Sequence, residues 1–415
     1  MQNFLQDPPG VVGWLAMDAP KVTNLLAGRK WVSKWGPAKV VDSVLRGVAQ
    51  VVFVNNPVSG LLVLVGLYLA DVTVGCATIF TSLVAVFVAK AVLALPNSQM
   101  GAGLPVFSAV LVGSVTTALY PGTFHAPLTP ATWAYMGLAA ALSVCIYAGL
   151  GHILGAHDLP AYTLPFNIAT SLIFLGMQGA GYEGSDTTTA PPDPSPLAST
   201  ALPLDAGFNG SYVGLFDVFG AVSREEGGEE ELLEWDKVWL GALLSAGQVW
   251  AVKSVCCSGL VLLAMLLCSP LLTAVCCVGG TLGSLTALVV SSPPHDLIYS
   301  GVWGYNGFLA AGAMVFFVVP GPRVVLLAVL NAVLATFTQA AITPVFAQNN
   351  VPVFTFPFCL ASLLLLAAAA SSSAFARVTS PTFPEMHLYK YRQKAASMVE
   401  KKEEKEDTAS GGCVA

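Results

Sequence analysis

Charge is what this chain has least of. Asp, Glu, Lys and Arg together make 10% of its 415 residues, while hydrophobic residues make 55%. A soluble domain carries roughly 25% charge. With mean hydropathy at +0.71, too few charges remain to cover a soluble surface. A soluble enzyme and a disordered chain are excluded. A net charge of −6 and a pI near 5.3 also exclude a nucleic-acid binder. Other things are missing too. There is no phosphate loop, no nucleophile–base pair and no metal-ligand spacing, so neither an enzyme, an ATP-driven pump, a cofactor nor a metal is expected. No series of Asp, Glu or His runs through the apolar stretches, which argues against a proton relay. The nine cysteines lie in apolar segments except Cys413, and Cys256-Cys257 and Cys276-Cys277 lack zinc spacing. Cys413 is third from the end, so it makes no prenylation box. The first residues hold no basic n-region, and Pro8, Pro9 and Pro20 interrupt any apolar run, so no cleavable signal peptide is expected. The class that fits is an all-α integral membrane protein.

The few charges are placed unevenly. Lys21, Arg29, Lys30, Lys34, Lys39 and Arg46 lie in the first 50 positions, and seven more basic residues lie between Arg377 and Lys405. Twelve of the 24 acids fall between Glu183 and Asp236. This divides the chain into a basic segment 1–37, an apolar block 38–180, an acidic linker 181–236, an apolar block 237–373 and a charged tail 374–415. The positive-inside rule puts both ends in the cytoplasm. The linker carries the sequon Asn209-Gly210-Ser211. A used sequon places the linker outside the cell. Each block then crosses an odd number of times, and the two blocks have opposite orientation.

Apolar runs predict helices at 38–54, 57–71, 74–95, 104–119, 132–154 and 163–178, and at 237–252, 255–268, 270–291, 303–318, 322–343 and 355–371. Several are shorter than the roughly 20 residues of a full span. The segments 104–119 and 303–318 each follow a Gly- or Pro-rich break, as half-helices do at a midplane binding site. The blocks also repeat. Asp158-Leu-Pro-Ala-Tyr-Thr-Leu-Pro-Phe166 returns as Asn350-Val-Pro-Val-Phe-Thr-Phe-Pro-Phe358. Gly103 to Leu111 aligns with Gly301 to Leu309, Gln50-Val51 with Gln248-Val249, and Ser59-Gly60 with Ser258-Gly259. Matching motifs in the same order indicate an internal duplication. The expected architecture is two inverted-topology repeats, each of about five transmembrane helices plus a tilted half-helix, giving about ten spans.

Polar residues in apolar surroundings mark the chemistry. A proline inside a membrane helix frees a carbonyl one turn back, so the doubled motif offers acceptors and two hydroxyls, Thr163 and Thr355. Two kinked helices with self-bonded threonines are the alternative. Gln50 and Gln248 either line a path or tie helices together. Phe53 follows Gln50 by one turn and shares its helix face on this reading. Phe107 and Leu111, like Tyr305 and Leu309, are four apart and share a face. Asp71 and Lys90 are expected to snorkel at helix ends, and Asp158 and Asp296 to cap helices.

These residues resemble the urea transporters. The resemblance rests on Gln50-Val-Val-Phe-Val-Asn-Asn-Pro-Val-Ser-Gly60, on the doubled Leu159-Pro-x-x-Thr-x-Pro-Phe166 signature and on Gly304-Tyr305-Asn306. It covers about 38–371. It implies a homotrimer in the plasma membrane, each protomer with its own narrow pore on a pseudo-twofold axis, among membrane lipid. It implies passive, channel-like permeation of urea and close analogues. The pore lining it implies is Gln50, Val51, Phe53, Phe107, Leu111 and Thr163 from the first half, and Gln248, Val249, Tyr305, Leu309 and Thr355 from the second. The sequence departs from the family pattern at Pro105-Val-Phe107-Ser108, at Ala251 and at Lys253 to Cys257, where one extra residue is read before Ser258-Gly259. A channel for ammonia, formate or water stays open as a second reading. An ion-coupled transporter is a third, but it would want carboxylates at the broken helices. If the linker is outside, Asn209→Gln abolishes a glycosidase-dependent gel shift; a shift that survives contradicts that placement.

Overall fold

The computed structural model describes residues 10–182, 233–378 and 380–411. Asn209 and most of the acidic linker lie outside these, as does Cys413. The first block holds α1 (Gly36–Gln50), α2 (Pro57–Ala70), α3 (Val72–Phe87, prolonged by a wider turn Val88–Val92), α4 (Phe107–Phe124), α5 (Pro130–Gly155) and α6 (Leu164–Tyr182). The second holds α7 (Trp235–Gln248), α8 (Val255–Cys268), α9 (Pro270–Val290), α10 (Tyr305–Phe317), α11 (Pro322–Ala347) and α12 (Phe356–Ala370). A further helix, α13 (Pro384–Gly411), follows. Among the described residues, five helices are long and apolar enough to cross a membrane: Val72–Val92, Phe107–Phe124, Pro130–Gly155, Pro270–Val290 and Pro322–Ala347. Large apolar side chains such as Leu69, Leu138, Leu326 and Leu364 are exposed, as lipid-facing residues must be.

Both blocks use the same neighbours. In the first, α1 packs on α2, α3 on α4, α4 on α5 and α5 on α6; in the second, α7 packs on α8, α9 on α10, α10 on α11 and α11 on α12. The blocks meet where α2 packs on α8 and α6 on α12. α4 and α10 form the centre. Every residue from Phe107 to Thr117 and from Tyr305 to Phe316 is buried, and a helix that is apolar all round belongs inside. The half-helix expectation needs adjustment on one side. α10 has 13 residues, but α4 has 18 and continues past 119 through Pro121 to Phe124.

Local chemistry sets the helix ends. The Asn56 side chain accepts from the N–H groups of Val58 and Ser59 and starts α2; Ser254 accepts from Cys257 N–H and starts α8. Asp71 starts α3 by accepting from Thr73 and Val74, and Ser269 starts α9 by accepting from Leu272. Two expectations change here. Asp71 is an N-cap, not a snorkelling carboxylate. No residue is inserted before Ser258 either: the caps keep Lys253, Ser254 and Cys257 in step with Asn55, Asn56 and Ser59. Where α2 has Gly60 against the Leu45 carbonyl, α8 has Ser258, whose hydroxyl reaches the Leu244 carbonyl at 3.4 Å. Lys90 bonds Asn97 at 2.8 Å and lies over the Trp31 ring.

Helix α1 ends at Gln50, so Phe53 does not share a helical face with it. Val54 N–H returns to the Ala49 carbonyl and Phe53 N–H to that of Gln50, a terminating pattern whose left-handed residue is usually glycine. Here it is Phe53, at φ +63°. Ala251 ends α7 in the same way, at φ +59°. Asp158 and Asn350 end α5 and α11 with the same pair of bonds, so Asp158 terminates a helix instead of capping the next. Asp296 stands in the first turn of a short helix, Asp296–Tyr299, after His295.

Both ends of the chain dock onto this frame. Arg46 is fully buried, paired with Asp42 at 3.0 Å, and donates to the Asp18 and Asn55 carbonyls and to Thr23. Asn56 donates to the Leu15 and Met17 carbonyls. From the other end of the chain, Glu385 of α13 accepts from Ser269 Oγ and Leu271 N–H at the start of α9.

Two titratable groups in these docked ends are displaced in opposite directions. Burial pushes the Asp18 carboxyl up to about 7, against the pull of Arg46 and Lys390; the Cys268 thiol also faces it. Burial, with Lys390 beside it, pushes the His387 imidazole down to about 4. Its Nε2 accepts Thr382 N–H at 2.7 Å, which requires the neutral ring. The raised carboxyl contributes stability that is complete below 3.8 and is lost as pH rises through about 7. The depressed imidazole contributes stability that is complete above 6.5 and is lost as pH falls toward about 4. The two oppose each other in between. In detergent, Asp18→Asn therefore melts at progressively lower temperature as pH falls through that window. His387→Gln melts at progressively lower temperature as pH rises through it. Equal pH slopes in the two variants contradict this account.

Candidate functional site

Each block breaks its chain before the central helix, and each break is held alike. Gln50 Nε2 donates to the Ala102 carbonyl at 3.0 Å; Gln248 Nε2 donates to the Ser300 carbonyl at 2.9 Å. Gly103 (φ +68°) and Gly301 (φ +84°) follow. A Cβ on Gly103 would collide with the backbone N of Gly47, and one on Gly301 would stand 2.7 Å from that of Ser245. Only glycine fits a left-handed turn pressed this closely on a neighbouring helix. The amide nitrogens of the glutamines are thus committed to structure. Their Oε1 atoms have no partner among the described residues, and both residues are part-exposed. Val51 and Val249 come next in the chain, each buried.

The doubled Pro-x-x-Thr-x-Pro motif does not kink a continuous helix. Pro160 and Pro352 precede the helices in non-helical segments, while Pro165 and Pro357 sit in the first turns of α6 and α12, where a missing N–H costs nothing. The expected freed carbonyls are therefore replaced by two helix starts. Tyr162 (φ +46°) and Phe354 (φ +47°) stand just before them. Left-handed backbone at a bulky residue is strained, and such strain concentrates at functional positions.

These starts bring Thr163 and Thr355 together. Their hydroxyl oxygens are 2.6 Å apart, across the seam between the blocks. Two residues that sequence reasoning missed complete the cluster. Asn167 Oδ1 accepts from Thr355 N–H at 3.1 Å and from Thr355 Oγ1 at 2.8 Å. Cys359 Sγ lies 3.2 Å from Thr163 Oγ1 and 3.5 Å from Asn167 Nδ2. All four are buried. The signal was available: Asn167 and Cys359 each follow a motif threonine by four residues, one helical turn.

Tyr162, Phe166, Phe354 and Phe358 stand next to these residues in the chain. Phe53 crosses to the second block and meets Phe316 (5.3 Å), Phe317 (6.3 Å) and Phe358 (6.2 Å). Tyr162 meets Phe317 and Phe358, and Phe354 meets Phe166 and Phe174. Phe107 meets Tyr147 edge-on at 6.0 Å. Leu111 and Leu309 are fully enclosed.

The two blocks differ most at the starts of the central helices. The Tyr305 hydroxyl donates to the Phe354 carbonyl. Asn306 donates to Gln339 Oε1 (2.9 Å) and to the Phe354 carbonyl (3.3 Å), and accepts from Phe358 N–H (3.2 Å). Gln339 in turn donates to the Val302 carbonyl at 3.0 Å. At the matching places the first block has Phe107, Ser108 and Tyr147, and the buried Ser108 hydroxyl has no partner among the described residues.

A family model described as "Urea transporter" matches residues 41–370. The chain belongs to the urea transporter family. Among curated proteins it is similar to "Urea transporter 1" of Ovis aries, 29% identical over 403 residues, covering 94% of this chain and 92% of that one. The same protein of Mus musculus is 28% identical over 401 residues, with the same coverage. Family membership and the apolar helices make this urea transporter relative a multi-pass membrane protein, and a transporter instead of an enzyme. The contrast between its halves is testable. Asn306→Ala strands several buried groups and should cost about 2 kcal/mol. Ser108→Ala removes a hydroxyl that bonds nothing and should change stability by less than about 0.5 kcal/mol. Thermal melts of the two variants in detergent check both; equal losses contradict the assignment.

Proposed function

We propose that this protein conducts urea and close analogues passively, down their gradient, through a narrow path within each protomer. The observation that carries the reading is the meeting of Thr163 and Thr355, two hydroxyls from duplicated motifs, on the seam between the blocks. Family membership supplies the solute class. The path runs from Gln50, Val51, Phe53, Phe107 and Leu111 past the threonine pair to Gln248, Val249, Tyr305 and Leu309. The blocks 38–180 and 237–373 are inverted repeats with about ten spans in total. Both ends, 1–37 and 374–415, face the cytoplasm, and the linker 181–236 faces outward with Asn209 as its glycosylation site. The protein is a homotrimer among the lipids of the plasma membrane.

The chemistry suits urea. The molecule is flat and neutral, with N–H donors and one carbonyl. The two glutamine Oε1 atoms and the threonine oxygens are acceptors spaced along a largely apolar channel. Each exchange of water for protein is worth about 1 kcal/mol net, so no single site traps the solute. Several weak sites permit conduction where one strong site would slow release. The absence of a fixed charge among the proposed lining residues leaves ions with no compensation for lost water.

Urea flux into vesicles bearing the protein should rise linearly with gradient at low concentration. It should not depend on Na⁺ or voltage. Thr163→Val and Thr355→Val should each lower flux by about fivefold, one net hydrogen bond, and each should also lower the melting temperature, because buried partners in the cluster are stranded. Sodium dependence would overturn the channel reading; unchanged flux in both variants would show that the path lies elsewhere.

A further inference from the structure

Asn167 and Cys359 occupy the same place in the two repeats, but they are different residues, and that difference assigns the hydroxyl and thiol protons of the buried cluster. Thr355 N–H donates to Asn167 Oδ1. A backbone N–H can only donate, so the amide oxygen faces Thr355 and the amide nitrogen faces Cys359. The Thr355 hydroxyl is also bound to that oxygen at 2.8 Å, and an amide oxygen can only accept, so the Thr355 proton points to Asn167. The 2.6 Å contact between the threonines must then carry the Thr163 proton, donated to Thr355. With that proton used, the 3.2 Å contact of Thr163 Oγ1 with Cys359 carries the thiol proton, donated to Thr163. The thiol sulfur accepts from Asn167 Nδ2 at 3.5 Å. The circuit closes: Asn167 to Cys359 to Thr163 to Thr355 to Asn167.

We propose that Asn167 and Cys359 are positioning residues that turn the threonine pair into an acceptor-only face for the solute. This rests on the reading that the path passes the threonines. Each threonine oxygen donates one hydrogen bond and accepts one within the ring. One lone pair remains on each, and no hydroxyl proton remains. A solute at the threonines finds two acceptor oxygens and no hydroxyl donor. Urea, with four N–H groups, is matched to that face; a solute that brings only acceptors is not. Had both positions been asparagine or both cysteine, symmetry would leave the proton direction undecided, and either threonine could turn a donor toward the path. Hydrogen bonds linked head to tail also polarise one another, which strengthens a ring over four separate contacts.

The decisive comparison is Cys359→Ser against Cys359→Ala. Serine and alanine leave nearly the same volume, but only serine can donate to Thr163 and accept from Asn167. Cys359→Ser should keep urea flux in proteoliposomes within about twofold of the parent, and Cys359→Ala should lower it about fivefold, the factor one net hydrogen bond carries. The ratio of urea to acetamide permeability should also fall in Cys359→Ala, because the freed Asn167 Nδ2 offers a donor that either solute's carbonyl can use. It should hold in Cys359→Ser. Melting temperature and monodisperse elution are followed for each variant, so that a folding defect is not read as lost flux. Equal fluxes in the serine and alanine variants, whether high or low, overturn the ring and leave the path intact. If Thr163→Val and Thr355→Val do not alter flux, the path itself is misplaced and this inference falls with it.

Discussion

A broken helix inside an apolar block needs partners that water cannot supply. Everything at the centre of this protein follows from that constraint. The chain breaks before α4 and before α10, and both times a glutamine from the first helix of the block, α1 or α7, takes up an orphaned carbonyl while a glycine lets the backbone press close. The helix starts at α6 and α12 obey the same rule. Proline occupies a first-turn place in both where a missing donor is harmless, and at α12 the Asn167 and Asn306 side chains accept from the Thr355 and Phe358 N–H groups. Polar residues that look expensive in composition are what make the breaks affordable.

The duplication explains the frame, and the departures from it explain the chemistry. Helix neighbours, caps and left-handed residues correspond between the blocks: Phe53 with Ala251, Gly103 with Gly301, Asp158 with Asn350, Tyr162 with Phe354. Side-chain functions do not. The second block builds a bonded network from Tyr305, Asn306 and Gln339, where the first has Phe107, a partnerless Ser108 and Tyr147. Phe53 reaches across the seam, whereas Ala251 has no ring to do so. One half braces and the other packs, so the two sides of the seam present different surfaces.

The ends of the chain belong to the structure as well. Arg46 buries a full charge and meets it with the Asp42 carboxylate of its own helix, the Asn55 carbonyl that follows that helix, and the Asp18 carbonyl and Thr23 hydroxyl of the N-terminal segment. Removing Asp42 from this buried pair would typically cost about 3–5 kcal/mol, and the hydrogen bonds of Arg46 and Asn56 to Asp18, Thr23, Leu15 and Met17 tie the segment before α1 into the fold. Glu385 does the corresponding work for α9 from the other end of the chain.

By itself the sequence determined a good deal. Scarce charge implied a membrane, its distribution marked two blocks, and repeated motifs paired Gln50 with Gln248 and Thr163 with Thr355. Those are statements about composition, order and local spacing, which a chain carries before it folds. The places where helices stop were less legible. Phe53 and Ala251 adopt a backbone that propensity reserves for glycine, so periodicity ran the helix on through them. The supposed insertion before Ser258 vanished for a similar reason: caps at Asn56 and Ser254 set the register, and a local match of Ser-Gly pairs could not. Only the tertiary structure decided which way the glutamine amides point and that the two threonines touch. It alone brought Asn167 to Thr355, 188 residues away in the chain. The physical reason is that the direction of a hydrogen bond depends on which groups meet, and that meeting exists only once the two blocks are packed against each other.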